Sequence, residues 1–441
     1  PSCHDPERVP WRKTFNGHCQ VIIQSTGEAG DIQLVAKSEG LKTQSSPVVK
    51  ALQRYTVYVS PYGDDRNNGT HQMPFRTIQA AKKWCQGISA GKVTIVLADG
   101  THYLDSTLVI THDDSNDRKH LCIRAENPQK AIISGGKQIF CIWEKAHSGI
   151  YRTNTGHPAF KPEMLTVDGN LRILARYPDY RPDGRRFGGT DSDATSAERI
   201  AGWQHPEKAY VHAMHPADWG DFHYRIKGTD DDGTPVLEGG WQNNRPAEPS
   251  VEHRMVENVI EELDAPGEWF YDDEDGWLYY KPLPDEDIES ARIEVSNIAG
   301  LISIVGTESE TVSNVSLEGL CFTMTERTFM QSYEPLLRSD WAIYRGGAVY
   351  MENTSLCGLK DCDMYNLGGN AIFISGRNDR SFVKDTHIHD IGASGICVVG
   401  RPSAVRSPSF NYYEYVDINE LDFTPGPVTD EYPKDCLQSV R

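Results

Sequence analysis

The chain reads as an all-β protein dominated by a solenoid of stacked coils, and three observations lead there. First, residues 359–375 and 383–399 are near copies set 24 residues apart. Leu-Lys-Asp-Cys-Asp-Met-Tyr-Asn-Leu-Gly-Gly-Asn-Ala-Ile from 359 is answered by Val-Lys-Asp-Thr-His-Ile-His-Asp-Ile-Gly-Ala-Ser-Gly-Ile from 383. A repeat of this length is one supersecondary unit that can bury its apolar face only against a neighbouring copy. Second, apolar and polar residues alternate within each copy. Cys362 and Met364 stand against Asp363 and Tyr365, and Thr386 and Ile388 against His387 and His389, which is the period of a strand with one face inward. Third, 38% hydrophobic and 24% charged residues over 441 positions suit a folded chain long enough for a solenoid and further units.

Composition also excludes classes. A net charge of −19 argues against nucleic acid, which needs basic surface. No run of about 18 apolar residues occurs, so no membrane-spanning helix is expected. None of the ten cysteines, at 3, 19, 85, 122, 141, 321, 357, 362, 397 and 436, forms a CxxC pair, so no zinc ribbon or redox motif is expected. Cys122 and Cys362, at apolar strand positions, read as small core residues. Nothing in the sequence sets an oligomeric state. Pro1 opens the chain without a signal segment, and the last residues arrive as another coil begins, so the chain is expected to be a fragment of a longer protein.

Four regions are expected. Residues 1–52 hold a partial β-sandwich, with strands near Cys19-Gln-Val-Ile-Ile-Gln and Gly30-Asp-Ile-Gln-Leu-Val-Ala, and a linker near 42–54. Residues 53–142 form the cap and first coils. Pro74-Phe-Arg-Thr-Ile-Gln-Ala-Ala-Lys-Lys-Trp is a short amphipathic helix, and strands follow at 93–97, 107–110, 120–125 and 131 onward. A solenoid needs such a cap, because its end otherwise exposes apolar side chains and unpaired strand edges. Residues 143–289 lose the period and are dense in Trp, Tyr, Pro and Gly, as in a β-rich inserted subdomain. Coils resume over 290–441. Leu317 aligns with Leu359 at 42 residues rather than 24, and the excess falls on 325–346, with Tyr333, Asp340, Trp341, Tyr344 and Arg345. A long loop on a solenoid is a usual place for binding residues.

The twin copies supply the candidate site. In a parallel stack, equivalent residues of successive coils lie roughly 4.8 Å apart, which sets Asp363 beside His387 and Tyr365 beside His389 on one outer face. Asp390 is the twin of Asn366. Acid–base hydrolysis needs a proton donor and a second carboxylate, and an Asp beside a His separates acid from base. Asp390, Asp363 and His387 are therefore the expected catalytic residues. Tyr365, His389, Asn370, Trp341, Arg345 and Arg377 are the expected substrate contacts. The carboxylate partner of Asp390 stays open among Asp363, Glu414, Asp430, Glu431 and a residue beyond the end. The plain alternative is a solvated polar ladder in which Asn366 and Asp390 only end strands. No metal is assigned. His387, His389 and Asp363 are ligand types, but His pairs two apart on an outward face are common without metal. Arg377, Arg380, Lys384, Arg401 and Arg406 form a basic patch that could receive a uronate or sulfate, or serve only solubility. Arg185-Arg186-Phe-Gly-Gly is not a phosphate loop, because no helix is expected after it.

Two resemblances add to this. Phe15-Asn-Gly-His-Cys-Gln-Val-Ile-Ile-Gln-Ser-Thr-Gly, closing with Ala36-Lys-Ser-Glu-Gly-Leu, resembles the end of the C-terminal immunoglobulin-like domain of family 2 glycoside hydrolases. The cap order is similar to that of right-handed parallel β-helix proteins acting on polysaccharides. Ala175-Arg-Tyr-Pro, Glu257-Asn-Val-Ile-Glu-Glu-Leu-Asp-Ala-Pro-Gly-Glu-Trp-Phe-Tyr-Asp-Asp and Leu278-Tyr-Tyr-Lys-Pro resemble glycoside hydrolase family 141 and, less closely, family 120. These resemblances imply a right-handed, single-stranded parallel β-helix of the pectin lyase-like kind. They also imply an extracytoplasmic glycosidase without a cofactor, acting on a polysaccharide or its oligosaccharides through paired acidic residues on a β-helix face. Two rivals stand beside it: a polysaccharide lyase, for which a calcium ion would enter, and a non-catalytic glycan-binding β-helix.

Overall fold

The computed structural model describes residues 28–156, 161–240, 248–331 and 342–401, with Glu334–Pro335 and a few isolated positions before 28. At 41% strand and 7% helix the chain is all-β. Three sheets in which every pairing is parallel form its body. The first face stacks Arg54–Val59, Gly91–Leu97, Lys119–Ala125, Val315–Glu318, Gly358–Lys360 and Phe382–Lys384. The second stacks Gly100–Tyr103, Ala131–Ser134, Leu320–Thr323, Asp363–Met364 and His387–Ile388. The third stacks Leu108–Ile110, Ile302–Val305, Val349–Ser355, Ile372–Asp379 and Ile396–Val399. The chain visits the three faces in rotation, so each circuit lays one rung on the last: a parallel β-helix.

Side-chain register makes the stack stable. Val57, Ile95, Ile123, Leu317, Leu359 and Val383 lie one above another on the first face. Ile133, Phe322, Met364 and Ile388 do so on the second, and Ile110, Ile304, Met351, Ile374 and Val398 on the third. Most are fully buried in one continuous core, where each contributes about 1.5–3 kcal/mol relative to exposure. Cys122 and Cys362 are buried free thiols, and no disulfide occurs among the described residues.

The helix Ile78–Cys85 covers one end of the stack. It turns Ile78, Ala81 and Cys85 inward, and the Thr77 hydroxyl caps it by accepting from the Ala80 N–H at 3.1 Å. Asp65 holds that start by accepting from the N–H groups of Arg76 and Thr77, each at 2.8 Å. Before the stack, Gly30–Ile32 pairs with Val49–Ala51 and Val35–Ala36 with Gln44–Ser45, all antiparallel. The segment expected as a linker thus carries short strands, its valines outweighing its Ser and Pro. The expected strand near 19–24 lies outside the described residues.

Corners decide where the chain can leave the coil. Between the first and second faces the turn is one residue in the left-handed region, occupied in successive rungs by Gly319 (φ 65), Asp361 (φ 56) and Asp385 (φ 49). Met324 (φ 58), Asn366 (φ 49) and Asp390 (φ 48) open the corner between the second and third faces. Asn and Asp tolerate this conformation better than other side chains. The two long excursions, from Gly136 to Ser296 and across 325–346, both leave from this second corner and return to the third face. Their bases are stitched by single bridges joining Ile298, Thr325, Leu367 and Ile391 from rung to rung.

The first excursion is β-rich, as expected. It forms an eight-stranded mixed sheet around Trp269, Leu278 and Tyr280 and a five-stranded antiparallel sheet around Val211, Phe222, Ile226 and Val256.

Leu317→Ala should cost about 2–5 kcal/mol of stability, because the ladder on either side prevents collapse into the cavity. Lys360→Ala, at the outward position next to Leu359 on the same face, should change it by less than about 0.5 kcal/mol. Denaturant unfolding of the two variants checks the contrast.

Candidate active site

The register brings the ladder residues together. Asp363 pairs opposite His387 on adjacent rungs of the second face. The Tyr365 ring stacks on His389 at 5.7 Å, and His387 stacks on His389 at 4.3 Å. Asp390 Oδ2 accepts from His389 Nδ1 at 2.7 Å, and since a carboxylate only accepts, Nδ1 carries the proton. The other ring nitrogen, Nε2, lies 3.3 Å from Asp363 Oδ1, and His387 Nδ1 lies 3.4 Å from the same oxygen. That oxygen is shielded from solvent, and the two imidazoles face it at distances longer than an ordinary hydrogen bond. The bond to Asp390 first, and the charge of Asp363 after it, raise the His389 pKa. Burial pushes the Tyr365 phenol up to about 12. Asp390 itself is largely exposed, and its residue type serves the left-handed corner as Asn366 does one rung earlier.

The other expected contacts lie elsewhere. Arg345 packs on the third face, over the Phe373 ring at 5.5 Å, and donates to Ser375 Oγ at 2.8 Å and Gly400 O at 3.1 Å. Arg377 belongs to that face too, in the strand Ile372–Asp379. Asn370 braces the second corner: its amide donates to Tyr344 O (3.1 Å) and Gly346 O (2.9 Å), and its oxygen accepts from the Ser394 N–H at 3.1 Å. The basic patch is interleaved with acids, Arg380 with Asp379, Lys384 with Asp385 and Arg401 with Glu308. Trp341, Arg406, Glu414, Asp430 and Glu431 lie outside the described residues.

A second constellation, not anticipated from the sequence, occupies the seam where the two corner excursions meet. Arg327, on the shorter excursion, pairs with Glu257 of the inserted strand Arg254–Glu257 at 2.5 Å. His212 Nε2, from the neighbouring strand Tyr210–Met214, donates to the same carboxylate at 2.8 Å. His223 Nδ1 lies 2.6 Å from His212 Nδ1. Phe329 fills the space between, its ring about 5 Å from those of Tyr210, His212 and His223, with the Arg327 guanidinium 4.2 Å over it. Glu163 sits beside this group, half-buried, its backbone N–H donating to Ser296 Oγ at 3.2 Å.

The electrostatics of the seam drive its carboxyl groups apart. Burial pushes Glu163 up to about 7, with Glu326 and Glu257 adding to the shift and Arg327 opposing it. Burial also opposes ionisation of Glu257, but Arg327 and His212 outweigh it and hold this carboxyl well below its ordinary range. Glu326 is raised by burial. His223 is held neutral by burial, then by His212 and Arg327. One carboxyl able to give up a proton near neutrality beside one fixed as an anion is the arrangement from which acid and base roles are assigned. Glu257 opens a segment whose wording was unusual, and Arg327 lies in the excess over the 24-residue period. Glu163, His212 and His223 stand where no periodicity marks them.

The corner is lined by backbone. A Cβ on Gly368 would come within 2.4 Å of the backbone of Glu326 and Arg327, and one on Gly392 within 2.4 Å of Gly368 O. The Gly-Gly-Asn and Gly-Ala-Ser turns of the twin copies thus let successive corners close on one another.

Residues 1–46 match the family model described as glycoside hydrolase family 2 C-terminal domain 5. A solved structure described as "Glycoside hydrolase" superposes with a TM-score of 0.61 at 20% identity, over 74% of this chain and 65% of that one, so the two share a fold. The structure described as "The complex structure of XylC with xylose" is 12% identical over 77% of this chain and 54% of that one, with a TM-score of 0.37. The uncharacterized protein YwoF of Bacillus subtilis (strain 168) is 34% identical over 79 residues, 18% of this chain and 15% of that protein. The chain therefore spans just under two thirds of the first structure and a small part of YwoF.

Arg327→Ala should destabilise the protein by about 3–5 kcal/mol, because it strands Glu257 as a buried, partly uncompensated anion; chemical denaturation at pH 7 measures it. Glu163 is the mirror case. With a folded pKa of about 7 against the ordinary 4.5, it carries no penalty below about pH 4.5 and destabilises increasingly as pH rises through 7. Glu163→Gln should therefore raise the melting temperature at pH 8 and leave it nearly unchanged at pH 4.5, a difference of up to about 3 kcal/mol.

Proposed function

We propose that this chain is part of a glycoside hydrolase that cleaves a polysaccharide or its oligosaccharides by carboxylate acid/base chemistry at the second corner of the β-helix. The observation that carries the reading is the seam where the insert meets the coil, at which Arg327 and His212 pair with Glu257 and burial raises Glu163. Glu163 is the proton donor to the leaving oxygen, since a carboxyl titrating near the working pH transfers a proton most effectively. Glu257, tied to Arg327 and His212, is a positioning residue that fixes the local field. The second carboxylate is drawn from the ladder, with Asp390 and Asp363 the candidates and His387 and His389 beside them. The wording of the 257–273 segment and of the cap supports kinship with families 141 and 120, and with it placement outside the cytoplasm.

The test incubates the protein carrying this sequence with pectic, xylan, fucosylated and algal glycans, following new reducing ends and the ultraviolet absorbance of unsaturated uronates together. Reducing ends without absorbance are expected. Glu163→Gln should lower kcat by about 10²–10⁴-fold with KM nearly kept. Rising absorbance would replace the reading with a lyase, and glycan binding without turnover would replace it with a binding module. Loss of turnover in Asp390→Asn and Asp363→Asn with full activity in Glu163→Gln would move the chemistry to the ladder.

A further inference from the structure

We propose that Asp363, His387 and His389 form a binding site for a divalent transition metal of the zinc class, with Asp390 as its outer partner; metal occupancy takes Asp363 out of the candidates for the second carboxylate and leaves Asp390. Asp363 Oδ1, His387 Nδ1 and His389 Nε2 converge within 4.8 Å of one another. The two nitrogens stand 3.4 and 3.3 Å from the oxygen, beyond the usual 2.7–3.2 Å of an N–H···O hydrogen bond. Ligand atoms held at about 2.0–2.1 Å by one tetrahedral ion lie about 3.3–3.4 Å from each other. The spacing is thus long for hydrogen bonding and matches two edges of a tetrahedron.

Three further features point the same way. Asp363 Oδ1 is withdrawn from solvent and meets the two imidazoles only at these long distances, so a cation seated among the three atoms would bind it more closely than either ring does. His389 gives its Nδ1–H to Asp390 at 2.7 Å, which turns Nε2 toward Asp363; metal-bound histidines are oriented by such a carboxylate in most known sites. The stacked rings, 4.3 Å apart, come from alternate residues of one rung, and the strand register sets Asp363 opposite His387, so the three side chains are already gathered. Two imidazoles and one carboxylate select zinc, cobalt or nickel over calcium or magnesium, which prefer oxygen ligands, and three ligands leave a fourth position open. The sequence alone does not assign the metal, because an outward His-x-His pair is common. What adds the ligand set is the neighbouring rung, which delivers a carboxylate between the two rings.

The test is metal binding itself, independent of any glycan chemistry. Cobalt(II) is titrated into the metal-free protein at pH 7.5, and its visible absorption is recorded. An intense band in the visible region, displaced by one equivalent of zinc, is expected. It should be lost in His387→Ala and His389→Ala, and affinity should fall about 10–100-fold in Asp390→Asn. Circular dichroism of each variant shows that the coil is intact, as expected for changes at side chains on the outer face. Absence of the band, or a band unchanged in the His387→Ala/His389→Ala double variant, overturns the proposal and leaves an imidazole–carboxylate ion pair in its place.

Discussion

Register is the constraint on which everything else in this molecule rests. Each rung of the coil is short, and some of its strands have only two residues, too few to hold together alone. What they share is the position of one inward side chain above the last, so that Val57, Ile95, Ile123, Leu317 and Leu359 become a continuous column although they lie far apart in sequence. A slip of one residue would turn each rung's apolar side chain outward and its polar ones inward. The same register that builds the core also sets Asp363 against His387, so the outer face inherits its geometry from the inner one.

The second corner is where this regular object becomes specific. Both excursions from the period leave there, and the bridges linking Ile298, Thr325, Leu367 and Ile391 hold their bases in line. The insert is pinned to the coil by a buried ion pair, Arg327 with Glu257, reinforced by His212. Such a pair contributes little net stability against an apolar substitute, but it is intolerant of losing one member. Its effect is positional and electrostatic: it brings a fixed cation and a fixed anion to the place where Glu163 is withdrawn from water, and the proton affinity of Glu163 follows.

Much of the coil was legible in the sequence, because a solenoid writes its period and its alternation directly into the chain. Cys362 and Met364 inward with Asp363 and Tyr365 outward could be read before any coordinates, and so could the stacking of Tyr365 on His389. The turn role of Asn366 and Asp390 was weighed too, and the left-handed corners give both that role. The seam was not legible. Glu163, His212, His223, Glu257 and Arg327 are spread over 165 positions and meet only through the fold of a subdomain without a repeat. Arg345, from the long loop, packs over Phe373 of the third face, and Arg377 lies in a strand of that face, a separation from the ladder that their short spacing in sequence does not reveal.

The corner architecture also carries an evolutionary arithmetic. Because every rung ends where the next begins, a segment of any length can enter at a corner without disturbing the columns above and below, provided the chain returns to the third face in step. The 161 residues from Gly136 to Ser296 are one such entry. By the same reckoning, loss or gain of a whole 24-residue rung changes the length of the molecule by about one strand spacing, near 4.8 Å, and leaves every other contact alone. A lineage built this way can adjust reach by counting rungs and chemistry by exchanging what is mounted on one edge, the two varying without reference to each other.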